Sequence, residues 1–198
     1  MHPKRKIEFD AAHPSIDDRR FKKYDWYDFY HGAKEAIPLD CPKPLWNSMS
    51  THCFVGADLS GNLISRRSQT GVLIFCNRVT IIWYSKQHNA VETSTFGSEI
   101  MALKNGVEFV EALRYKLRMF DAPIEGATNI CCDNEAVYNN CSIPESTLRK
   151  KHHSISYHRN QEAVSAGTCR ISKEDSKKNL SDLFTRILSG IVREELLE

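Results

Sequence analysis

Four acidic residues stand at positions where carboxylates could bind metal ions. Asp58 ends the first apolar, strand-like run, and Glu99 lies one helical turn before Leu103 in a long helical pattern. Asp133 directly follows a second apolar run, and Asp182 lies in the first turn of a final helical pattern. Such hard oxygen ligands suit Mg²⁺, and two ions about 3.5–4 Å apart can activate water for hydrolysis of a phosphodiester. Together the four positions predict metal-dependent phosphodiester hydrolysis.

Each of the four acids also has a purely structural interpretation. Asp58 could close a turn, Asp133 could cap the helix that follows it, and Asp182 could offset the dipole of its own helix. Glu99 is harder to explain in this way, because residues four apart share a helix face and Leu103 belongs to the core-facing stripe. A carboxylate on such a stripe is costly unless it is paired or binds a metal. Structural roles are favoured for each acid alone, whereas the set favours a cation site.

The elements that must position these acids follow from apolar periodicity. Five segments have strand patterns, and the second and third form a hairpin: 52–58, 70–76, 79–84, 128–132 and 168–172. Four segments have helical patterns: Ser94 as N-cap followed by a helix to about 118, then 134–140, 146–166 and 179–188. The element order is therefore βββαβα(α)βα. A hairpin sheet followed by alternating helices and strands predicts an α/β fold with a mixed sheet and flanking helices.

The chain divides into three parts by composition. Residues 1–50 hold five of the seven prolines and an aromatic patch within 24–30, which indicates a largely irregular connector or arm. A cluster packed on the main domain is the favoured interpretation of that patch, and a ligand-binding aromatic box is the alternative. Residues 51–190 form the predicted main domain, and 191–198 form a C-terminal tail.

Composition and charge exclude several classes of protein. Hydrophobic residues make up 41% of the chain and charged residues 26%, with a net charge of +2, which is ordinary for a soluble globular protein. The seven cysteines are scattered without a C-x-x-C pair, so we expect reduced core thiols and not a disulfide frame or a zinc site. No apolar run approaches the roughly 20 residues that span a bilayer, and no secretory signal follows the basic start. We expect an intracellular protein, cytoplasmic or nuclear; 4–6 is either a nuclear signal or a solvated terminus.

Six ordered blocks between about residues 52 and 188 carry a family resemblance. The blocks are Phe54-Val-Gly-Ala-Asp58-Leu-Ser-Gly-Asn, Arg66-Arg-Ser-Gln-Thr-Gly71, Trp83-Tyr-Ser-Lys86-Gln, Glu92-Thr-Ser-Thr-Phe-Gly-Ser-Glu99, Cys132-Asp-Asn134 and Leu180-Ser-Asp182-Leu-Phe-Thr-Arg186. They resemble, in order, the blocks of the ribonuclease H domains of copia-type LTR retrotransposon polyproteins. Six blocks in order are more specific than a single short motif.

The resemblance implies a ribonuclease H-like fold with a five-stranded mixed sheet, and cleavage of the RNA strand of an RNA·DNA hybrid. Two divalent ions, Mg²⁺ or Mn²⁺, would be held by Asp, Glu, Asp and Asp, and Glu99, Asp133 and Asp182 match the last three positions. The family usually has Asp-Ala-Asp after the first strand, with the leading Asp as ligand, whereas this chain has Gly56-Ala-Asp58. Because Asp58 lies about 7 Å further along the same strand face, it could substitute only if the strand end shifts or bends.

Basic and polar residues near these blocks are the predicted contacts to nucleic acid. The set contains Arg66, Arg67, Lys86, Asn134, Lys150, Lys151 and His152. Such residues neutralise phosphates and position a duplex without reading its sequence. Basic residues at the end of the long helix have two interpretations, phosphate contacts or a solvated helix face: Arg114, Lys116 and Arg118.

Three hypotheses of function follow from the residues and the resemblance. The first is a ribonuclease H that cleaves RNA·DNA hybrids, with its first metal-ligand Asp replaced by Gly56. The second is a catalytically dead remnant that still binds nucleic acid, and the third, weaker one is an integrase or transposase core. No Tyr-x-Asp-Asp polymerase motif is present, so the reverse transcriptase domain is expected to be absent from this chain, along with any polymerase activity. Leu59, Gln161 and Arg186 also depart from the family's usual residues, which suggests drift.

Overall fold

The computed structural model describes residues 18–45, 47–62, 64–190 and 194. The basic segment at 4–6 lies outside these ranges, and so does nearly all of the predicted tail at 191–198. None of the described helices is long and apolar enough to cross a bilayer.

Five strands form one mixed sheet, as the sequence predicts. They are β1 (Thr51–Asp58), β2 (Gln69–Cys76), β3 (Val79–Gln87), β4 (Thr128–Cys132) and β5 (Cys169–Lys173). Their order across the sheet is β3-β2-β1-β4-β5. β1, β2 and β3 pair antiparallel, whereas β4 pairs parallel with both β1 and β5. The carboxyl ends of β1 and β4 therefore lie side by side at one edge, which is where open sheets place ligands.

Four helices and two 3-10 turns connect and cover the strands. The helices are α1 (Thr95–Met119), α2 (Glu135–Ser142), α3 (Ser154–Ser165) and α4 (Asp182–Thr185), and the 3-10 turns are Asp18–Arg20 and Lys151–His153. Ser94 caps α1 as predicted, because its side chain accepts the Gly97 N–H at 3.2 Å. The order βββαβα(α)βα is confirmed.

Two helices are shorter than predicted. The predicted helix 146–166 becomes a loop, the second 3-10 turn and α3, and the Ser146 hydroxyl in that loop donates to Asn140 O at 2.6 Å. The predicted helix 179–188 is reduced to α4, because Asn179 instead donates its side-chain amide to Val55 O at 3.0 Å. Polar side chains that bind backbone groups outside the helix compete with helix formation, and here they anchor one loop to α2 and the other to β1.

The core lies between the sheet and α1. Leu103, Val107 and Val110 on the predicted stripe of α1 are buried against Val55 and Ile130 of the central strands. All seven cysteines are free thiols, as expected, and five of them are buried. This packing fixes the first turns of α1 over the end of β1.

The described part of the arm packs on the main domain. Phe21 is buried under the Arg170 guanidinium, 4.3 Å from its ring centre, and Tyr30 donates to the Gln161 side chain at 2.9 Å. Glu35 accepts two hydrogen bonds from Arg114, at 2.6 and 2.9 Å. Arg114 is therefore 2% exposed and ion-paired. The interpretation of Arg114 as a phosphate contact is wrong, because its charge is already used inside the fold.

Candidate active site

Glu99 is a buried carboxylate at the edge where β1 and β4 end. It is 7% exposed, and its Oε1 accepts the Ala57 N–H at 3.1 Å, so α1 is tied to the end of β1. Its Oε2 is buried and has no hydrogen-bond partner among the described residues. Burial, with a smaller contribution from the charge of Asp133, raises the pKa of Glu99 to about 8. A carboxylate buried in this way is costly unless it is protonated or binds a cation.

Asp133 and Asp182 face the same region as Glu99. Asp133 follows β4 directly and is half-buried, while the following helix is capped by Asn134, whose side chain accepts the Val137 N–H at 3.1 Å. The alternative role of Asp133 as a helix cap is therefore wrong. Asp182 is buried at the start of α4 and forms an ion pair with Arg186. Burial raises the pKa of Asp182, the Arg186 guanidinium opposes that rise, and Asp133 adds to it.

The three carboxylates are close enough to shift one another's pKa, but their oxygens do not all lie within 4.8 Å of one another. Among the described residues, a different trio meets that distance. The donor set consists of carboxylates alone and includes an unpartnered oxygen on Glu99, so it fits a hard divalent cation such as Mg²⁺.

Gly56 stands where the resemblance predicts an aspartate, and the space beside it is filled. A Cβ added to Gly56 would lie 2.5 Å from Ser181 Oγ and 3.2 Å from Asn179 Nδ2. Gly71 is its cross-strand partner on β2, and a Cβ there would lie 2.5 Å from Ser181 O. Two paired glycines thus let the segment before α4 pack directly on the sheet. An aspartate at position 56 requires the Ser181 side chain to move.

Asp58 has a structural partner close by. Its Oδ1 accepts the backbone N–H of Gln69 at 2.7 Å, and Gln69 is also its register partner on β2. Asp58 raises the pKa of Glu99 less than burial and the charges of Asp133 and Asp182 do. This geometry supports a role for Asp58 in closing the β1–β2 connection.

Most of the predicted nucleic-acid contacts are exposed. Arg66 and Arg67 lie in the β1–β2 loop, Lys86 on β3, and Lys151 and His152 in the second 3-10 turn. The other two predicted contacts are engaged: Asn134 Oδ1 caps α2, and Lys150 Nζ donates to Ser94 Oγ.

Asn179 and Ser181 were missed by sequence reasoning, although they shape the site beside Gly56. Asn179 binds the β1 backbone, and the Ser181 hydroxyl donates to Asn179 Oδ1 at 2.9 Å. The only sequence signal was two polar residues just ahead of Asp182, which is ordinary for the start of a helix.

The architecture is that of ribonuclease H. The described fold is similar to the ribonuclease H1 of Halobacterium salinarum, with a TM-score of 0.53 and 11% identity over 75% of this chain and 97% of that one. It is also similar to LC11 ribonuclease H1 in complex with an RNA/DNA hybrid, with a TM-score of 0.55 and 14% identity over 69% and 94% of the two chains. Identities this low establish the fold alone. The predicted five-stranded ribonuclease H-like fold is confirmed.

The sequence is similar to polyproteins of plant transposons. The retrovirus-related Pol polyprotein from transposon RE2 of Arabidopsis thaliana is 25% identical over 145 residues, which are 73% of this chain and 10% of that polyprotein. The Pol polyprotein from transposon TNT 1-94 of Nicotiana tabacum is 26% identical over 136 residues, 68% of this chain and 10% of the polyprotein. No family model matches the sequence. The chain spans about a tenth of these relatives, and its resemblance to the ribonuclease H domain of copia-type retrotransposon polyproteins is confirmed.

The Glu99→Gln variant is expected to be more stable than the wild type at alkaline pH in the absence of divalent cations. The pKa of Glu99 is raised in the folded state, so the wild type is fully stable below the ordinary pKa of glutamate and loses stability as pH rises toward about 8. Each pKa unit corresponds to about 1.4 kcal/mol, so the advantage of the variant should reach a few kcal/mol. Urea denaturation at pH 4.5 and pH 9 in EDTA measures it. An equal difference at both pH values would contradict the raised pKa.

Proposed function

We propose that this chain is a ribonuclease H domain that binds RNA·DNA hybrids and has lost most of its hydrolytic activity, because Gly56 replaces one metal ligand. One observation supports this proposal above all others. Glu99 Oε2 is buried near Asp133 and Asp182 and has no partner in the described parts of the chain, while the position that should complete the cation site is a glycine covered by Ser181. A site with three of four ligands is expected to bind divalent cations weakly.

The residues of this site would have three roles: to hold metal ions, to position the metal-holding residues, and to close the β1–β2 connection. Glu99, Asp133 and Asp182 would hold Mg²⁺ or Mn²⁺ ions, which supply activation of water and stabilisation of the leaving 3′-oxygen when bound. The Ala57 N–H orients Glu99, and Arg186 holds Asp182. The Asp58 carboxylate remains with the Gln69 N–H and does not replace the missing ligand.

Exposed basic side chains would bind the hybrid through its phosphates. Arg67, Lys86 and Lys151 are exposed, and none of the three side chains pairs with an acidic residue in the described parts of the chain. Such contacts give sequence-independent affinity that falls with salt, while groove shape and the 2′-hydroxyl distinguish RNA from DNA. Retained binding with weak cleavage is the combination that this arrangement supports.

The binding test uses a fluorescent RNA·DNA hybrid and the full chain in EDTA. We expect Lys86→Ala and Lys151→Ala each to weaken binding and to reduce the slope of log affinity against log salt by about 1. Fluorescence anisotropy over a salt series measures both effects. Lys43→Ala, in the arm, is the matched control and should behave as the wild type.

Two results would count against the proposal. One is an affinity for the hybrid that does not depend on salt or on the lysines of the main domain. The other is cleavage of the hybrid by the wild-type chain in Mg²⁺ at the rate of a complete ribonuclease H, which would show that the site needs no ligand at position 56.

A further inference from the structure

A second group of ligand-type side chains lies beside the N-terminus of α1. Glu92 precedes α1, and His152 and His153 lie in the 3-10 turn that precedes α3. One ligand atom from each of these three residues lies within 4.8 Å of the other two, and no other trio in the described parts of the chain meets this condition. The three residues come from segments about 60 residues apart, so the fold alone brings them together.

The buried histidine of this group has an unused nitrogen. His153 is 4% exposed, and its Nε2 has no hydrogen-bond partner among the described residues, although it lies 3.4 Å from Glu92 Oε2. Two ligands that sit about 2.0–2.1 Å from a tetrahedral Zn²⁺ ion are separated by about 3.4 Å. The His152 and His153 rings are neighbours, with centroids 4.0 Å apart. Glu92 and His153 thus already have the spacing of two zinc ligands, and a ligand atom of His152 lies within 4.8 Å of both.

Gly97 forms the floor under these ligand atoms. A Cβ added to Gly97 would lie 2.6 Å from both Glu92 Oε2 and His153 Nε2. Any other residue at position 97 would therefore push the carboxylate and the imidazole away. Because Gly97 has no side chain, the Glu92 carboxylate and the His153 ring can approach each other beside it.

We propose that Glu92, His152 and His153 form a binding site for a borderline divalent transition-metal ion of the Zn²⁺ type, separate from the carboxylate site. Two imidazoles and one carboxylate suit Zn²⁺ and its neighbours in the first row, whereas Mg²⁺ prefers oxygen ligands alone. The fourth position is left to water. A bound ion would tie the segment before α1 to the 3-10 turn before α3, next to the exposed Lys151.

A simple ion pair between Glu92 and His153 explains the geometry less well. An ion pair would require a protonated ring whose Nε2 donates to the Glu92 carboxylate. That nitrogen forms no hydrogen bond among the described residues, although Glu92 Oε2 lies 3.4 Å away.

The test uses Co²⁺ as a spectroscopic probe, bound to the full chain carrying Glu99→Gln so that the carboxylate site is weakened. We expect one Co²⁺ per chain with visible absorption typical of histidine ligation, displaced by Zn²⁺ and not by excess Mg²⁺. His152→Ala and Glu92→Gln should each lower the affinity at least about ten-fold, since even outer-shell partners of metal ligands change affinity by about 10–100-fold. His31→Asn, on the arm, is the control and should bind Co²⁺ unchanged.

Gly97→Ala removes no ligand but adds a methyl group where the ligands meet. Alanine forms helices better than glycine, so α1 should be retained. Its added methyl group should nevertheless reduce Co²⁺ affinity at least as much as loss of a ligand. The proposal is overturned if Gly97→Ala and His152→Ala, both folded by circular dichroism, bind Co²⁺ like the parent chain. Hybrid binding is measured separately and in EDTA, so failure here leaves the proposed function standing.

Discussion

The double variant Gly56→Asp/Ser181→Ala should cleave the RNA strand of an RNA·DNA hybrid at least about 100-fold faster than the wild-type chain in Mg²⁺. A single preorganised electrostatic group in an active site contributes about 10²–10³ in rate, and a metal ligand belongs in that range. The aspartate would complete the group formed by Glu99, Asp133 and Asp182. Removal of the Ser181 hydroxyl makes the necessary room, because that oxygen lies 2.5 Å from the position of the new Cβ. A labelled hybrid resolved on a denaturing gel gives the rate.

The single variants distinguish the effect of the added carboxylate on cleavage from its effect on packing against Ser181. Gly56→Asp alone places a side chain against Ser181 and Asn179, and overpacking of this kind costs about 1–3 kcal/mol. It should therefore unfold at a lower denaturant concentration than the double variant and gain less activity. Ser181→Ala alone loses one hydrogen bond to Asn179 and should stay inactive. The Gly56→Asp/Ser181→Ala/Glu99→Gln triple variant, with an intact fold, is the control for contaminating nuclease.

Two outcomes would contradict this account of position 56. If Gly56→Asp alone is as stable and as active as the double variant, Ser181 does not obstruct the position. If the double variant is folded and binds the hybrid but does not cut it, then Glu99, Asp133 and Asp182 are not the metal ligands.

The architecture was predictable because its signals are local. Apolar runs fixed the five strands to within a few residues, and Ser94 marked the start of α1 through its capping pattern. The α3 and α4 boundaries were wrong for the opposite reason. Ser146 and Asn179 bind backbone atoms that are distant in sequence or belong to another element, and no local pattern shows this.

The site was predictable in position but not in its packing. The order of the motifs placed Glu99 and Asp133 near the end of β1, and burial against Ala57 follows from the helical stripe. The obstruction of position 56 depends on Ser181, which is 125 residues away in the sequence and has no signature of its own. The Glu92–His153 contact was missed because it likewise joins two loops through the fold.

Arg114 shows that a basic residue near the end of a helix can be a buried structural residue and not a phosphate contact. Sequence alone left it open as a phosphate contact, since it lies near the end of a long helix with Lys116 and Arg118. In the structure Arg114 donates twice to Glu35, and also to Gly126 O at 3.0 Å and Thr128 Oγ1 at 3.2 Å. These four bonds join the arm, α1 and the entry to β4, so the residue belongs to the stability of the fold.

Arg114→Met should be among the most destabilising single substitutions in the chain, by about 3 kcal/mol, because it removes four hydrogen bonds of a buried guanidinium and leaves Glu35 with Arg118 as its remaining partner. Urea denaturation at pH 7 measures the loss. Lys116→Ala, exposed on the same helix, should stay within about 0.5 kcal/mol of the wild type. Arg114→Met combined with Glu35→Met should recover much of the loss, since replacing both partners of a buried pair with apolar residues is often neutral.

The pH dependence of the Arg114→Met effect gives an independent check. Burial alone would raise the pKa of Glu35, but the hydrogen bonds and charges of Arg114 and Arg118 hold that pKa below its usual range. A lowered carboxyl pKa gives stability above the unfolded-state value that is lost as pH falls through the folded-state value. The difference between wild type and Arg114→Met should therefore shrink as the pH falls below 4.5, the ordinary pKa of glutamate. A variant that keeps full stability but binds the RNA·DNA hybrid more weakly would instead restore Arg114 as a phosphate contact and remove the arm from the energetics of the fold.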